Sequence, residues 1–208
     1  MSPRLIQIFI SPAQRAPMQK LQSVKAIKNV GLHGDRYSKR LGTFSKLRRI
    51  AKSVQRRIVH RGLRSLLQRT RQAVVSRQLV EQHHLSILTM DGLRRGNAGH
   101  DVQFTPEDTR RNLIVEEMTA EELLQFVGKR FNVGDVELIG VEDCTPCEEP
   151  SQLSGKPDFK ARFTGLAGLR AKVLSNGVLR VGDELHAGGH EKNHEVVVYS
   201  AIVAANPD

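Results

Sequence analysis

The sequence has few cysteines and few aromatic residues, and it has no long apolar run. Two cysteines, no tryptophan and 4% aromatic residues occur among 208 residues. Two cysteines at C-x-x-C spacing favour a metal-binding or catalytic pair over a structural disulfide. No apolar run approaches the roughly 20 residues that cross a bilayer, and no early segment has the pattern of a signal peptide. We therefore expect a soluble cytoplasmic protein.

Several motifs of common enzyme classes are missing as well. There is no Ser-His-Asp elbow, no P-loop and no dinucleotide fingerprint, so a glycine-rich phosphate cradle has no support. No internal repeat or low-complexity segment is visible either. The length is sufficient to bury a sizeable core, and we expect one domain over residues 1–208.

Acidic residues are absent from residues 36–77, which hold 14 of the 32 lysines and arginines. The other 18 basic residues stand against 22 acidic ones, so the remainder has a net charge of −4 although the whole chain has +10. Apolar residues within the block recur at helical spacing, which predicts a basic amphipathic helical insertion over residues 41–79. Its role is open between a solvated face, a lid, a membrane-surface contact and a docking face for an acidic protein. The lack of interleaved aromatic residues disfavours nucleic acid as a partner.

The remaining pattern is mostly that of short strands. Alternating apolar residues predict strands at residues 4–10, 23–30, 84–89, 130–133, 136–141 and 195–203. Thr119 with Glu122 forms a capping box that opens a short helix with Leu123, Leu124 and Val127 facing inward. We expect residues 91–108 to form a loop, and residues 168–181 to form a hairpin around Asn176-Gly177. The fold class is thus mostly β with helical additions, as a barrel or sandwich.

The two cysteines, Cys144 and Cys147, directly follow one of these predicted strands and are flanked by acidic residues. The pair is compatible with a disulfide redox site, with a zinc site, or with one thiolate that binds a metal or carries sulfur. The zinc alternative would need histidines, and His186, His190 and His194 are the candidates. Acidic neighbours disfavour a free thiolate, whereas a bound metal deprotonates a coordinating thiol outright.

Arg110, Arg111 and Asn112 stand at the start of a short apolar segment. Two adjacent arginines can clamp a phosphate or a carboxylate through paired N–H donors. A surface doublet that pairs with Glu107 or Asp108 is equally compatible with this pattern. Asn112 is either a ligand-binding amide or a strand cap.

Four segments together resemble one protein family. They are GLHGDRY at residues 31–37, the RRNL segment at 110–113, the run from 124 to 147 that ends in CTPC, and the glycine-bearing segment 168–183. In order and spacing they resemble the MOSC domain, the C-terminal domain of molybdenum cofactor sulfurase, over residues 1–36 and 82–187. The resemblance implies a β-barrel and binding of the molybdenum cofactor, in which a phosphorylated pterin holds the metal through its dithiolene.

By motif position, the resemblance makes Cys147 the molybdenum ligand or sulfur-bearing residue and Cys144 its frequent companion. It makes Arg36, Arg110 and Arg111 the candidates for binding the pterin phosphate, while Asn112 would bond the pterin's amide edge. The implied activity is reduction of small N-oxygenated, N-hydroxylated compounds with a redox partner. The alternative is a sulfur carrier that takes persulfide sulfur from a cysteine desulfurase.

The insertion at residues 41–79 departs from the family pattern. We expect residues 41–79 to act as a lid, as a membrane-surface contact, or as a docking face for an acidic redox or sulfur-donor protein, and we expect the protein to be cytoplasmic, with a peripheral membrane location in the second case.

Overall fold

The computed structural model describes residues 2–38 and 84–188. The predicted helical insertion at residues 41–79 and the predicted strand at residues 195–203 lie outside the described residues, as do His190 and His194. The prediction of a mostly β fold is confirmed for the described part. The strands are β1 Arg4–Ile10, β2 Gln19–Leu21, β3 Ser23–Ile27, β4 Gly31–Leu32, β5 Leu85–Thr89, β6 Leu113–Glu116, β7 Arg130–Val133, β8 Val136–Asp143, β9 Leu169–Val173, β10 Gly177–Arg180 and β11 Leu185–Ala187. The helices are α1 Met90–Asn97, α2 Ala120–Leu124, α3 Glu149–Ser154 and α4 Phe159–Arg162.

Eight strands form one curled sheet, and three form a smaller one. The larger sheet has the order β11-β7-β8-β9-β5-β6-β1-β2, and the smaller has β10-β3-β4. The chain that enters β11 also meets the start of β1: Leu5 N–H donates to the Asp183 carbonyl at 2.8 Å, and Gly182 N–H donates to the Leu5 carbonyl at 2.7 Å. These bonds link the chain before β11, one edge of the large sheet, to β1, the strand next to the other edge, so the sheet is curled into a half-barrel.

The alternation of apolar side chains along the strands produces two cores on opposite faces of the curled sheet. On β1, Ile8 and Ile10 belong to the inner core, whereas Phe9 belongs to an outer cluster. β5 and β6 repeat the pattern, with Ile87 and Leu113 inside and Leu88 and Ile114 outside. The outer cluster also holds residues of the helices and of the C-x-x-C segment: Leu93, Phe159, Phe163 and Cys144.

The expectation of a loop over residues 91–108 is wrong for its first part, because Met90–Asn97 is helix α1. Thr89 caps the helix by accepting a hydrogen bond from Gly92 N–H at 2.9 Å. Gly92 and Gly96 lower the helical propensity, but Gly96 lets the Phe163 ring pack against the helix; a Cβ there would lie 2.6 Å from the ring. The strands β5 and β6 pair in parallel. Parallel neighbours need a crossover connection, and α1 is part of the segment that provides it.

The predicted hairpin at residues 168–181 is also wrong in its pairing. β9 pairs with β8 and β5, while β10 pairs with β3, from Gly177 opposite Ala26 to Arg180 opposite Ser23. The Asn176 side chain accepts a hydrogen bond from Lys28 N–H at 2.8 Å, so this turn carries the chain into the smaller sheet. The other predicted hairpin is confirmed, since β7 and β8 pair from Arg130 opposite Ile139 to Val133 opposite Val136.

The capping box of α2 is confirmed in full. Thr119 accepts from Glu122 N–H, and the Glu122 carboxylate accepts from Thr119 N–H at 2.8 Å. Leu123 is buried as expected, but Val127 lies beyond the helix and is exposed. In the ranges that the structure describes, no helix has the length and apolarity to cross a membrane.

Candidate functional site

The motif segments singled out in the sequence meet at one place on the curled sheet, where β1 ends and β6 begins. Ser11 follows β1 directly, and its N–H donates to Asp35 Oδ2 at 2.8 Å. Its carbonyl accepts from Arg36 N–H at 2.8 Å. Arg110 Nη2 donates to the hydroxyl of the same serine at 3.0 Å. Ser11 therefore joins the loop of residues 31–37 to the arginine doublet.

Arg36 is almost completely buried, although its guanidinium has few partners. Its side chain is stacked over the Tyr37 ring at 5.0 Å, and its Nη2 donates to the Tyr37 hydroxyl at 3.4 Å. Among the described residues, no acceptor lies within hydrogen-bond distance of Arg36 Nε or Nη1, or of Arg110 Nε. Buried donors of this kind are costly unless an acceptor reaches them. The site therefore offers unused N–H groups from two arginines.

The two guanidinium groups are close enough to influence each other. Burial, and after it the positive charge of Arg36, lowers the pKa of Arg110. Burial also disfavours the charge of Arg36, but Tyr37, Glu149 and Asp35 outweigh this effect and raise its pKa. Arg110 also adopts a left-handed backbone conformation with φ +62°, which is strained for a residue with a side chain. A buried, positively charged pair of this kind suits an anionic ligand.

Arg111 and Asn112 mainly bind other parts of the protein. Arg111 Nε donates to the Ala167 carbonyl at 2.7 Å, and its Nη1 donates to the Thr109 carbonyl at 3.1 Å. The Asn112 amide accepts from Ser86 N–H and Oγ, and it donates to the Phe9 carbonyl and to Asp35 Oδ2. The amide thus uses its two acceptor positions and its two N–H donors within the protein. Asn112 ties β1 to β5, which corresponds to the alternative of a structural cap.

The two cysteines occupy different environments. Gly140 pairs with Ala171 and Glu142 with Arg170, so Val141 is one extra residue in β8 and forms a bulge. Beyond the bulge, Cys144 N–H donates to the Gly168 carbonyl at 2.7 Å, and its side chain is buried in the outer cluster. Cys147 is exposed, and both thiols are free. The asymmetry makes Cys147 the thiol that a metal or a reagent can reach.

Two arginines act on the buried thiol of Cys144. Burial raises the pKa of Cys144, while the positive charges of Arg111 and Arg170 act in the opposite direction. Arg170 also donates to Glu142 Oε1 at 2.8 Å. Burial opposes the charge of Arg170, but its interactions with Cys144 and with the Glu142 carboxylate outweigh this effect and raise its pKa. Arg111 thus acts on the Cys144 thiol through its charge, while its hydrogen bonds go to the Ala167 and Thr109 carbonyls.

Arg170 and Glu149 belong to the site although the sequence analysis did not single out either residue as a ligand. Arg170 lies on β9, where its only local signal is the alternation of polar and buried residues. Glu149 begins α3 and acts electrostatically on both Arg36 and Arg110. It also follows Cys147 by two residues, so their Cα atoms are at most about 8 Å apart. The thiol segment and the arginine pair are therefore neighbours.

Within residues 2–38 and 84–188, no three His, Cys, Asp or Glu side chains converge as ligands for a metal ion. His186, the described histidine of the zinc alternative, is on β11 and pairs with Asn132 of β7.

A family model described as MOSC domain matches residues 74–186. Among solved structures, the YUAD protein from Bacillus subtilis is 16% identical, and the match covers 90% of this chain and 97% of that one with a TM-score of 0.63. YiiM from Escherichia coli is 12% identical, and the match covers 90% of this chain and 70% of that one with a TM-score of 0.52. At these identities, the two structures show a shared fold. No curated protein matches the sequence.

Proposed function

The chain belongs to the MOSC domain family, and on this premise we propose that it binds the molybdenum cofactor between the arginine pair and Cys147. The observation that carries the proposal is the buried Arg36 guanidinium. Two of its nitrogens, with Arg110 Nε beside them, find no acceptor among the described residues. A pterin phosphate would supply charged oxygen acceptors for them. Hydrogen bonds between such charged groups are among the strongest in proteins.

The charges of the site fit a phosphate in the same way. The positive charge of Arg36 disfavours that of Arg110, and in the described residues Glu149, Asp35 and Glu107 provide the compensating negative charge at Arg110. An anion between the two guanidinium groups would relieve this repulsion directly. Arg111 would act indirectly, by holding Ala167 and Thr109 in place behind the site.

Cys147 would be the protein ligand of the metal. It is the exposed thiol of the pair, and its segment is adjacent to Arg36 and Arg110 through Glu149. Asp143 and Glu148 are exposed on either side of it, and negative charge disfavours a free thiolate. A metal cation would hold the sulfur deprotonated in spite of those neighbours.

We propose that the protein reduces small N-hydroxylated compounds. The bound cofactor would supply two-electron redox chemistry. In the overall reaction, two electrons and two protons convert the N–OH group to N–H and release water, and a redox partner protein supplies the electrons. The chain's own residues hold the phosphate through Arg36 and Arg110, hold the metal through Cys147, and fix the C-x-x-C segment through Cys144.

Metal and pterin analysis tests the proposal. Full-length protein purified from a molybdenum-replete host should contain molybdenum and pterin, and it should reduce a simple N-hydroxylated compound with an artificial electron donor. Cys147→Ser should lose molybdenum and activity, whereas the control Cys144→Ser should keep both. Folded wild-type protein without molybdenum and pterin would refute the proposal.

The exposure of the free Cys147 thiol also favours a second function, that of a sulfur carrier. In this case the Cys147 thiolate attacks the outer sulfur of a persulfide on a cysteine desulfurase, and the donor cysteine leaves as a thiolate. Intact mass after incubation with a desulfurase and cysteine should show one added sulfur atom. The adduct should be absent from Cys147→Ala and present in Cys144→Ala; an unmodified wild type would exclude this function.

A further inference from the structure

The carboxylate of Asp35 acts electrostatically on both arginines and is shielded from solvent, with 1% of the residue exposed. Its Oδ2 accepts from Ser11 N–H at 2.8 Å and from Asn112 Nδ2 at 3.3 Å, and its Oδ1 accepts from Tyr37 N–H at 2.9 Å. The donors belong to the end of β1, to the residue before β6 and to the loop of Asp35 itself. One carboxylate therefore ties three segments together.

Both arginines are attached to these segments. Arg36 follows Asp35 in the chain, and its N–H donates to the Ser11 carbonyl at 2.8 Å. Arg110 Nη2 donates to Ser11 Oγ at 3.0 Å, and its Nη1 donates to the Ala16 carbonyl at 2.6 Å. Moving Ser11 would therefore shift the backbone of Arg36 and a contact of the Arg110 guanidinium.

We propose that Asp35 is the positioning residue of this site, because its carboxylate holds Ser11 and thereby sets Arg36 and Arg110 side by side as an anion-binding pair. The proposal rests on the proposed function, in that the anion is the phosphate of the pterin. Asp35 would not bind the anion itself, because a carboxylate has no N–H or O–H group to donate. Both of its oxygens already accept hydrogen bonds from backbone and amide N–H groups.

The sign of one substitution separates positioning from simple electrostatics. A negative charge close to an anion site repels the anion, so the neutral substitution Asp35→Asn would strengthen anion binding if both arginines stayed in place. An asparagine, however, presents an NH₂ group on one side, which would face either the Ser11 and Asn112 donors or the Tyr37 donor. The first orientation frees Ser11, which holds Arg110, and the second frees the backbone at Tyr37, next to Arg36, so either loss loosens a segment that positions one of the arginines. Positioning by Asp35 therefore predicts weaker binding, whereas electrostatics alone predicts equal or stronger binding.

The experiment measures inorganic phosphate binding to the full-length chain produced in cells that do not make the pterin. Phosphate is titrated at constant ionic strength against chloride, and the rise in unfolding temperature gives the affinity. Asp35→Asn should bind phosphate at least about tenfold more weakly than wild type, because one arm of a buried hydrogen-bond network is lost. The matched control is Asp135→Asn, since Asp135 is an exposed acid in the β7–β8 turn. It should bind as wild type does.

A second readout separates positioning from general loosening of the fold. Cys144 is buried in the outer cluster, so alkylation in native conditions should leave it unmodified in wild type and in Asp35→Asn alike. Alkylation of Cys144 in Asp35→Asn would mean that the substitution opens the fold, and it would overturn the assignment. Where Asp35→Asn does not fold, Ser11→Ala takes its place. It removes the Arg110 contact together with the hydroxyl's hydrogen bonds to the Ala13 and Ala16 carbonyls, while the Ser11 N–H bond to Asp35 remains, and it should weaken phosphate binding several-fold.

The outcomes distinguish the two proposals. In the first outcome, wild type binds phosphate, and the variant (Asp35→Asn, or Ser11→Ala in its place) binds it equally well or better. The positioning role of Asp35 is then refuted, but the arginine pair remains an anion site. In the second outcome, the unfolding temperature of wild type rises no more with phosphate than with chloride. The arginine pair is then not an anion site, and the proposed cofactor binding also loses its main support.

Discussion

Arg170 of β9 and Glu142 of β8 lie opposite each other across the antiparallel pair, and Arg170 Nη1 donates to Glu142 Oε1 at 2.8 Å. Glu142 directly follows the bulge at Val141, and Cys144 follows two residues later. The positive charge of the same guanidinium acts on the Cys144 thiol. The ion pair thus fixes the direction in which the C-x-x-C segment leaves the sheet.

This arrangement predicts a small cost for breaking the ion pair. The two side chains are 25% and 38% exposed, so solvent screens much of the interaction. Arg170→Met and Glu142→Gln should each lower the free energy of unfolding by about 1 kcal/mol or less. A double-mutant cycle in urea gives the coupling, which should be close to about 0.5 kcal/mol. Zero coupling would show that the pair does not hold the segment.

The burial difference between the two thiols predicts their reactivity. A maleimide should add once to the native protein, at Cys147, because Cys144 is enclosed in the outer cluster. Cys147→Ser should therefore stay unmodified until denaturant is added, whereas Cys144→Ser should still add one group. Intact mass spectrometry over time measures both. Two rapid additions to the native wild type would contradict the placement of Cys144.

Gly168 is the glycine on which the cysteine segment depends most. Its carbonyl accepts from Cys144 N–H, its φ is +91°, and an added Cβ would lie 2.0 Å from the Ile87 carbonyl oxygen. Gly168→Ala should lower the free energy of unfolding by about 3 kcal/mol or more, since strain and a backbone clash add. Gly99 is the matched control, because it has φ +74° and an added Cβ would meet no atom within 4 Å. Gly99→Ala should cost about 1 kcal/mol. Equal losses would show that the clash is absent.

His84 predicts a dependence of stability on pH. Burial, and to a lesser extent the charge of Lys172, lowers the pKa of His84 from 6.5 to about 4. Its Nδ1 accepts from Val173 N–H at 3.0 Å, and protonation would replace that acceptor with a donor. At pH values between about 4 and 6.5, His84 binds a proton in the unfolded chain but not in the folded chain. The stability contributed by neutral His84 is therefore complete above pH 6.5 and is lost as the pH falls towards 4, by at most about 3 kcal/mol.

The control for this effect is His84→Asn, whose side-chain oxygen can accept from Val173 N–H without titrating. Urea unfolding at several pH values from 7 to 4 compares the two proteins. The slope of stability against pH should be smaller in the variant over this range. Identical slopes would assign the acid sensitivity to other groups.

We expect substitution of Arg36 to affect the stability of the protein and its cofactor content in opposite directions. Two of its buried nitrogens have no acceptor in the described ranges, so Arg36→Met should leave the cofactor-free protein as stable as wild type or about 1 kcal/mol more stable. The same variant should lose most of its pterin when purified from a replete host. Arg94→Met is the control, since Arg94 is exposed on α1. A variant that keeps its full pterin content would remove Arg36 from the site.

Several elements could be predicted from the sequence because their signals are local. The alternation in residues 4–10 gave β1 with its observed bounds, Arg4–Ile10, and the Gly134-Asp135 turn gave the β7–β8 hairpin. Thr119 and Glu122 gave the start of α2. In each case, the stabilising contacts join residues that are close in the chain.

The wrong predictions concern contacts between distant residues. Helix α1 contains two glycines that lower its propensity, and it is stabilised by Phe163, which follows Gly96 by 67 positions in the chain. The Asn176-Gly177 turn is typical of a hairpin, but β10 pairs with β3 because its edge is available there and β9 is already flanked by β8 and β5. Tertiary packing outweighed local preference in both places.

The sequence by itself determined which residue types the site holds: a C-x-x-C pair, an arginine doublet and a GDR loop at family spacing. Only the tertiary structure decided how they differ from one another. It buried Cys144 and exposed Cys147, and it occupied the amide of Asn112 while leaving N–H groups of Arg36 without acceptors among the described residues. It also brought Asp35, Ser11 and Arg110 together. Burial and hydrogen bonding depend on which strands become neighbours, and long-range pairing sets this for the whole sheet.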